Sequence, residues 1–343
     1  MKVIDLRSDT VTLPTPAMRE AMYKAELGDD VFGEDPTVNR LQEMAAERMG
    51  KEAALLLVSG TMANLVSLLT HCGRGDEVIV GDASHTMLYE QGGMAALGGI
   101  VPWPIPNQPD GTLRLDDIAG AIRADNVHVP RTRLICLENT HNIRGGTPLS
   151  AAYTSQVAEL AHERGLRVHL DGARIFNAAA ALGVHALELV KDVDSVMFCL
   201  SKGLCAPVGS VLCGSADFIA EARRSRKVVG GGMRQAGVLA ACGIVALEQI
   251  VGRLGEDHAR AKRLAEALAE IPGVEVAPVS TNIIFFSLTG PKAKPTKEVE
   301  RGLAERGVLI IGGLGGRFRA VTHYWVDDDG IDQAIKAAQQ VLG

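Results

Sequence analysis

The sequence contains few of the features that mark metal centres, disulfide-bonded scaffolds or nucleic-acid-binding proteins. None of its six cysteines is spaced as CxxC, and most lie in apolar runs where a reduced thiol packs as a small hydrophobic group. The net charge is -6 at pH 7, and aromatic residues, only 4% of the chain, are not interleaved with a basic patch. We therefore predict no zinc site, no disulfide framework and no nucleic-acid partner.

Long apolar segments and secretion signals are also missing. The first residues, MKVIDLR, lack the apolar core of a signal peptide, and no apolar stretch approaches the length of about 18 residues that a membrane span requires. With 47% hydrophobic and 22% charged residues, the composition is typical of a soluble globular protein. The expected location is the reducing cytoplasm, with no membrane partner.

Several catalytic motifs are absent as well. The sequence has no GxGxxG after a strand, no phosphate loop ending in Gly-Lys-Ser/Thr, no GxSxG nucleophile turn and no HExxH. These absences argue against a nucleotide-binding loop, a serine hydrolase and a zinc metalloenzyme.

Apolar runs alternate with segments of helical periodicity along most of the chain. The predicted buried strands are 53–58, 77–80, 134–137, 167–170, 195–200 and 210–213, and the predicted helices between them include 62–69, 150–163 and 175–182. This alternation predicts an α/β fold with a mostly parallel sheet covered on both faces. Ligands of such folds collect at the carboxyl ends of the strands.

The chain length of 343 residues exceeds the usual size of one domain. We predict a large domain over 1–250, which includes an extended N-terminal arm, and a small C-terminal α+β domain over 251–343. The tail elements predicted are long helices at 235–251 and 257–271, strands at 282–286, 308–311 and 319–323, and a helix at 297–306.

Two side chains at strand ends carry the strongest chemical signal. Lys202 follows the apolar run that starts at Ser195, and Asp171 ends a similar run just before Gly172. A lysine there suits an imine with an aldehyde cofactor, and an aspartate on a neighbouring strand suits a salt bridge to a pyridine nitrogen, which together indicate pyridoxal phosphate. Each residue alone also has a structural interpretation, because many strand-end lysines only reach solvent and many Asp-Gly pairs form turns.

Residues at other strand ends supply further parts of such a site. Ser59, Gly60 and Thr61 follow a strand and open a helix, where free N–H groups and the Thr61 hydroxyl can face a phosphate. An ordinary capped turn is the alternative interpretation of this segment. His85 follows the next strand and can cover a flat ring or exchange a proton, whereas His128 has a weaker case from position alone.

Three arginines lie beside glycine loops or strand ends, although a single arginine is more often half of a surface ion pair. Arg174 is three residues from Asp171 and can reach the ring oxygen of the same cofactor, and Arg234 follows three glycines and can reach its phosphate. Arg319 would enter from the small domain, where a guanidinium fork suits the carboxylate of an amino acid.

In order along the chain, eight segments resemble the low-specificity L-threonine aldolases, which are pyridoxal-phosphate enzymes of fold type I, like aspartate aminotransferase. The matching segments are DLRSDTVT (5–12), GDDVFGEDP (28–36), SGTM (59–62), ENTHN (138–142), HLDGAR (169–174), SKGLCAPVG (201–209), GGGMRQAG (230–237) and RAVTH (319–323). The resemblance implies a seven-stranded, mostly parallel sheet in the large domain.

The resemblance also implies roles for individual residues around the cofactor. Lys202 forms the internal aldimine with pyridoxal phosphate, Asp171 holds the pyridine nitrogen, and Arg174 contacts the ring oxygen. The residues implied for the phosphate are Ser59, Gly60, Thr61 and, from a neighbouring subunit, Arg234.

For the substrate, the resemblance implies that Ser8 and Arg319 hold the carboxylate. His85 stacks on the cofactor ring and His128 lies near the β-hydroxyl of the substrate. Further implied contacts near the pocket are Tyr89, Glu90 and Arg174. The group that takes the hydroxyl proton stays open between His85, His128 and a water, as does a structural cation near the N-terminal Ser/Thr residues.

The implied reaction is the reversible cleavage of L-threonine, L-allo-threonine and other β-hydroxy-α-amino acids to glycine and an aldehyde, which is a carbon–carbon lyase reaction. The alternatives are a β-eliminating lyase or an aminotransferase on a small amino acid, which use the same lysine and aspartate but partition the carbanion differently. The resemblance further implies a homotetramer, a dimer of dimers whose sites are shared between subunits.

Overall fold

The computed structural model describes residues 3–290 and 294–343. Its strands are β1 (Ile4–Asp5), β2 (Ala53–Leu57), β3 (Glu77–Gly81), β4 (Val101–Ile105), β5 (Thr132–Glu138), β6 (Arg167–Asp171), β7 (Ser195–Cys199), β8 (Ser210–Gly214), β9 (Val274–Val276), β10 (Ile283–Leu288), β11 (Val308–Leu309), β12 (Ile311–Leu314) and β13 (Arg317–Val321).

The α-helices are α1 (Pro16–Lys24), α2 (Pro36–Met49), α3 (Gly60–His71), α4 (His85–Leu88), α5 (Gly93–Ala96), α6 (Leu115–Ala121), α7 (Ala151–Glu163), α8 (Ile175–Leu182), α9 (Ala186–Val190), α10 (Ala216–Val228), α11 (Gly237–Val245), α12 (Leu254–Ala269), α13 (Thr296–Ala304) and α14 (Asp328–Leu342). Short 3-10 helices at Asp9–Val11 and Val251–Arg253 and a π-helical segment at Ala246–Ile250 join them.

Seven strands form the large sheet, in the order β2-β8-β7-β6-β5-β3-β4. Strands β4, β3, β5, β6 and β7 pair in parallel, and β8 pairs antiparallel with both β7 and β2. Alternate side chains of β7 enter different cores: Val196 and Phe198 lie in the largest core, and Met197 and Cys199 in another. The sheet is therefore buried on both faces, and the predicted fold class is confirmed.

Strand β4 is the one member of this sheet that the apolar pattern did not predict. It lies at the sheet edge and contains Pro102 and Pro104. Proline lacks an N–H group and weakens a strand signal, but an edge strand has one side without pairing, where that loss is tolerated.

The second sheet belongs to the small α+β unit and has the order β12-β13-β10-β9, with every pairing antiparallel. A separate core, which includes Phe286, Val299 and Phe318, packs it against helices. The N-terminal arm joins this unit, because β1 pairs in parallel with β11 and buries Ile4 and Leu6 in the same core. The predicted division at 250/251 falls within the helical run between α11 and α12 and stays a prediction.

The helical run Gly237–Ala269 has 33 residues and is long and apolar enough, by length and composition alone, to cross a membrane. In this fold 56% of its most apolar window is buried, as in the core helix of a soluble protein, so the run is a weak indication of a span. Helices were predicted at 235–251 and 257–271, but no apolar stretch of span length was, since the charged residues of α12 follow the apolar α11.

Strand direction determines where the predicted site residues lie. Strands β2, β3, β6 and β7 run the same way, so their carboxyl ends share one edge of the sheet. Ser59 follows β2, His85 follows β3, Asp171 ends β6 and Lys202 follows β7.

Candidate active site

The N-terminus of α3 forms an anion cradle at this edge. The Ser59 hydroxyl accepts a hydrogen bond from Met62 N at 3.2 Å, and the N–H groups of Gly60 and Thr61 precede the first bond within the helix. A Cβ on Gly60 would lie 2.9 Å from Cys199 Sγ, so glycine lets α3 approach the sheet closely. Free N–H groups and the helix dipole favour a phosphate here.

Asp171 and Lys202 lie at the ends of neighbouring strands. Asp171 is 3% exposed, and its carboxylate accepts hydrogen bonds from Ala173 N at 3.0 Å and from the Asn64 side-chain amide at 2.9 Å. Lys202 is half-buried, and its carbonyl accepts a hydrogen bond from Thr12 Oγ1 at 2.8 Å. The N-terminal arm thereby fixes the loop that carries the lysine.

His85 begins α4 and has 32% of its side chain exposed. Its Nδ1 lies 2.9 Å from Glu90 Oε1, and this hydrogen bond is the main cause that raises the pKa of His85 above its ordinary value. Burial opposes this rise in pKa, whereas the charge of Asp171 adds to it. Because Nδ1 is engaged, Nε2 is the ring nitrogen left for a ligand. Tyr89, 50% exposed, lies 5.6 Å from the His85 ring, centroid to centroid.

Glu90 lies behind His85, only 7% exposed, and burial raises the pKa of its carboxyl. Ligand atoms of His85, Glu90 and Asp171 lie within 4.8 Å of one another, which is a donor set that could hold a cation. However, the Asn64 amide nitrogen already donates to Glu90 at 2.8 Å and to Asp171 at 2.9 Å. We assign no metal to this cluster. Glu90 is hydrogen-bonded to His85, and its predicted contact with the substrate stays a prediction.

Arg174 and Asp9 form a buried ion pair beside the site. The Asp9 carboxylate accepts hydrogen bonds from Arg174 Nε at 2.7 Å and Nη2 at 2.6 Å. Burial is the largest single influence and raises the pKa of the Asp9 carboxyl. The charge and hydrogen bonds of Arg174, together with the charges of Lys202 and Arg319, outweigh it and hold this pKa far below its ordinary value. The pair leaves Nη1 of Arg174 for a ligand and keeps the guanidinium in one orientation.

Arg319 reaches the same region from β13 of the small unit. Its Nη2 donates to Asn142 Oδ1 at 3.0 Å and its Nη1 to the Arg7 carbonyl at 3.4 Å. Its buried Nε has no partner among the described residues. Burial, with the nearby charge of Arg174, lowers the pKa of Arg319 to about 10. A buried guanidinium with an unused N–H group suits an anionic ligand.

The remaining predicted residues are placed differently. Ser8 caps the 3-10 helix next to Arg7, where its hydroxyl accepts from Thr10 N at 3.3 Å, and so lies on the segment that Arg319 contacts. Arg234 is 57% exposed and pairs with Asp29 at 2.9 Å.

His128 lies in an exposed loop before β5. This loop leads into the amino end of the strand, at the opposite sheet edge from Asp171 and Lys202. Among the contacts of the described residues, neither His128 nor Arg234 joins the cluster within one chain. His128 lies away from the cluster because of the direction of β5, which closeness in sequence does not reveal.

Sequence reasoning did not single out three residues that organise the site. Asp9 lies inside the quoted segment 5–12, and Asn64 lies one turn into α3, so each stood next to a recognised signal. The third is Glu138, whose carboxylate accepts hydrogen bonds from His85 N at 2.7 Å and Asn142 N at 2.8 Å. Glu138 therefore holds both His85 and Asn142, the partner of Arg319.

The donor set fits pyridoxal phosphate. The cradle of α3 suits a phosphate, the buried Asp171 carboxylate suits a protonated ring nitrogen, and Lys202 supplies a primary amine at the same sheet edge. The unpartnered Nε of Arg319 adds a place for a carboxylate.

Comparison with known proteins agrees with this geometry. The profile of the family described as beta-eliminating lyase matches residues 5–290. Low-specificity L-threonine aldolase 1 of Arabidopsis thaliana is 49% identical, over 100% of this chain and 97% of its own. Low specificity L-threonine aldolase of Escherichia coli K12 is 51% identical over 94% of each chain. The solved threonine aldolase of Leishmania major has the same fold, with a TM-score of 0.82 over 99% of both chains at 20% identity.

Proposed function

The chain belongs to the low-specificity L-threonine aldolases of the β-eliminating lyase family, and we propose that it reversibly cleaves L-threonine, L-allo-threonine and other β-hydroxy-α-amino acids to glycine and an aldehyde. It is a carbon–carbon lyase that uses pyridoxal phosphate. The observation that carries the substrate class is the unpartnered, buried Nε of Arg319 at the edge that holds Lys202 and Asp171, because an amino acid brings a carboxylate to that position.

Four parts of the chain hold the cofactor in this proposal. The α3 cradle binds the phosphate, Asp171 meets the ring nitrogen, and Lys202 supplies the amine for covalent attachment. Arg174, oriented by Asp9, directs its remaining Nη1 group to the ring oxygen. When bound, the cofactor serves as a sink for the electrons left on the carbon beside the amino group.

The residues that bind the substrate carboxylate determine which bond of the substrate breaks. Arg319 and Ser8 would hold the carboxylate and so fix how the bonds at Cα are oriented in the site. The bound cofactor would supply the electron sink for the bond between Cα and Cβ.

His85 receives the proton of the β-hydroxyl, directly or through a water. Its Nε2 is the ring nitrogen left free, and Glu90 stabilises the protonated form that results. His128 is the rival base and would have to come from another subunit, given its exposed loop. Replacing His85 with Asn tests the assignment: turnover at saturating cofactor should fall about 100-fold or more, and near-normal turnover would exclude His85 from proton transfer.

The reaction itself is tested by product analysis. The protein loaded with pyridoxal phosphate is incubated with L-threonine and, separately, with L-allo-threonine, and glycine, acetaldehyde, ammonia and keto acids are measured. Glycine and acetaldehyde in equal amounts are expected. Ammonia with a keto acid would instead indicate a β-eliminating lyase, and transfer of the amino group to an added keto acid would indicate an aminotransferase.

We also propose that two subunits complete each cofactor site within a homotetramer, with Arg234 reaching the phosphate of a neighbouring copy. Support comes from the exposure of Arg234, whose one ion-pair partner among the described residues is Asp29, and from exposed Tyr23 and Phe32 near Asp29 in sequence. In an equal mixture of Lys202→Ala and Arg234→Ala subunits, half of the dimers contain one subunit of each kind. One of the two sites in each such dimer is intact, so about a quarter of the wild-type sites should be restored. No restoration, or a monomer by light scattering, would contradict the shared site.

A cytoplasmic location and the lack of nucleic-acid or membrane partners stay predictions. Their support is compositional: the net charge of -6 and six cysteines that are all free and buried in this fold. Cell fractionation with an antibody against the protein checks the location, and recovery in the membrane pellet after a salt wash would contradict it.

A further inference from the structure

A row of polar side chains lines the face of α3 that packs on the sheet. Asn64, Ser67 and His71 follow one another at spacings of three and four residues, so they share that face. Asn64 is 1% exposed and Ser67 is 0% exposed. Buried polar groups destabilise a fold unless they are hydrogen-bonded, so such a row requires matched partners on the strands beneath.

Asn64 joins the row to the cofactor aspartate. Its Nδ2 donates to Asp171 Oδ2 at 2.9 Å and to Glu90 Oε1 at 2.8 Å, which uses both amide hydrogens. Its Oδ1 lies 3.1 Å from His169 Nε2. Because the amide oxygen can only accept, His169 Nε2 is assigned as the donor, and the two carboxylates fix the orientation of the amide.

The second nitrogen of His169 continues the chain of hydrogen bonds. Burial lowers the pKa of His169 to about 4, so the ring is neutral and Nδ1 accepts a hydrogen bond from a hydroxyl. Ser67 Oγ and Ser195 Oγ each lie 2.9 Å from this Nδ1, and Ser195 Oγ is also 2.8 Å from His71 Nε2. Asn64, Ser67, His71, His169 and Ser195 therefore form one connected hydrogen-bonded network.

We propose that Asn64, held in place by His169, is a positioning residue that keeps the Asp171 carboxylate oriented toward the ring nitrogen of the cofactor. The inference rests on the proposed function, since it assumes that Asp171 meets that nitrogen. Without the Asn64 amide, the carboxylates of Asp171 and Glu90 would have no donor between them, and their repulsion would turn the Asp171 carboxylate away from the ring nitrogen. The other titratable groups close to Asp171 are His85, Cys136 and His169.

The first test replaces Asn64 with Leu, which has a similar shape and no hydrogen-bond donor. In holoenzyme prepared with pyridoxal 5'-phosphate, the cofactor dissociation constant should rise about tenfold or more. The pH at which the visible absorption band of bound cofactor changes should move upward by about half a unit or more, because a less protonated ring withdraws less charge from the lysine-linked nitrogen. The matched control is Thr70→Val on the same helix, whose hydroxyl bonds only to Val66 O and Ser225 Oγ.

The second test separates positioning from general packing. His169→Gln keeps an N–H group that can reach the Asn64 oxygen, whereas His169→Leu removes it. The inference expects near-wild-type spectral titration and cofactor affinity for the Gln variant, and for the Leu variant a change in the same direction as Asn64→Leu. If Asn64→Leu does not fold, as judged by circular dichroism, the comparison of His169→Gln with His169→Leu tests the inference instead.

The inference is overturned if the pH midpoint and the cofactor affinity of the Leu variants match those of Thr70→Val. It is also overturned if His169→Gln and His169→Leu shift both quantities equally. Both readouts measure bound cofactor and not aldehyde release, so a protein that binds pyridoxal phosphate but fails to cleave threonine would contradict the proposed function and leave this test intact.

Discussion

At the residue scale, the site depends on charges that are buried in pairs. Asp9 and Arg174 are 0% and 6% exposed, and each satisfies the other through two hydrogen bonds. Removing one partner of such a pair leaves an uncompensated buried charge, which costs far more than breaking a surface ion pair. Arg174 would then also lose the orientation that directs its free Nη1 group.

We predict that Asp9→Asn lowers the free energy of unfolding by about 3–5 kcal/mol and weakens cofactor binding. The control is Asp5→Asn, which breaks the more exposed pair with Arg7 and should cost less than about 1 kcal/mol. Because the pKa of Asp9 is depressed in the folded state, its contribution is complete above about pH 4 and is lost as the pH falls toward the folded pKa. Urea unfolding across this range checks both claims, and equal losses for the two variants would contradict them.

The His85 and Glu90 pair predicts a change in the pH profile. A histidine that accepts a proton must be neutral, so the turnover number should rise as the pH increases through the pKa of His85, which Glu90 raises. In Glu90→Gln this pKa falls, and the acidic limb of the profile should move to lower pH. Glu20→Gln, which changes an exposed carboxylate paired with Lys24, is the control. An acidic limb that stays in place, or moves to higher pH, would rule out this coupling.

At the scale of the element, helix α3 combines two functions along its length. Its N-terminus forms the anion cradle, and the face behind the cradle carries the polar row that ends at Asn64, next to Asp171. Close contact between α3 and the sheet is needed for both, and Gly60 permits that contact.

Gly60→Ala should therefore separate α3 from the sheet. The added Cβ would lie 2.9 Å from Cys199 Sγ and 3.2 Å from Met197 Cε, and such overpacking costs about 1–3 kcal/mol. Cofactor affinity should fall in parallel, and Cys199→Ala in the same chain should restore part of both. Gly120→Ala, in α6 with nothing within 4 Å of its new Cβ, is the control and should be neutral or slightly stabilising. Thermal unfolding and cofactor titration check the set, and no rescue by Cys199→Ala would refute the contact.

At the scale of the whole molecule, the N-terminal arm connects the two cores. Leu6 is 1% exposed in the core of the small unit, and Asp9, three residues later, holds Arg174 at the cofactor site. Further along, the Leu13 carbonyl accepts a hydrogen bond from Trp325 Nε1 at 2.8 Å. We therefore expect a change in the small core to affect the site through this short stretch of chain.

We predict that Leu6→Ala lowers the free energy of unfolding by about 2–5 kcal/mol and also weakens cofactor binding, although Leu6 does not face the cofactor. Leu13→Ala, on the same arm but 60% exposed, is the control and should change neither quantity appreciably. Calorimetry with and without pyridoxal phosphate gives both values. Loss of stability in Leu6→Ala without loss of cofactor affinity would show that the arm does not couple the two cores.

Structural features that depend on residues close together in the sequence were predicted from the sequence alone. Apolar runs and helical spacing predicted the large sheet because burial on both faces requires continuous apolar strands. Lys202, Asp171 and the cradle at Ser59 were predicted because strand-to-helix connections of a parallel sheet converge at one edge. The prolines of β4 concealed an edge strand, since local propensity does not report whether a strand has one neighbour or two.

Tertiary structure alone decided the partners of the buried polar groups. Asp9 and Arg174 are 165 positions apart, and Asn64 and His169 are 105 positions apart, so no local pattern could pair them. The same holds for His128, which strand direction carries to the far edge of the sheet despite its suggestive position. Hydrophobic periodicity sets which segments are buried, but the identity of each charged partner is a property of long-range packing, and the chemistry of this site depends on those partners.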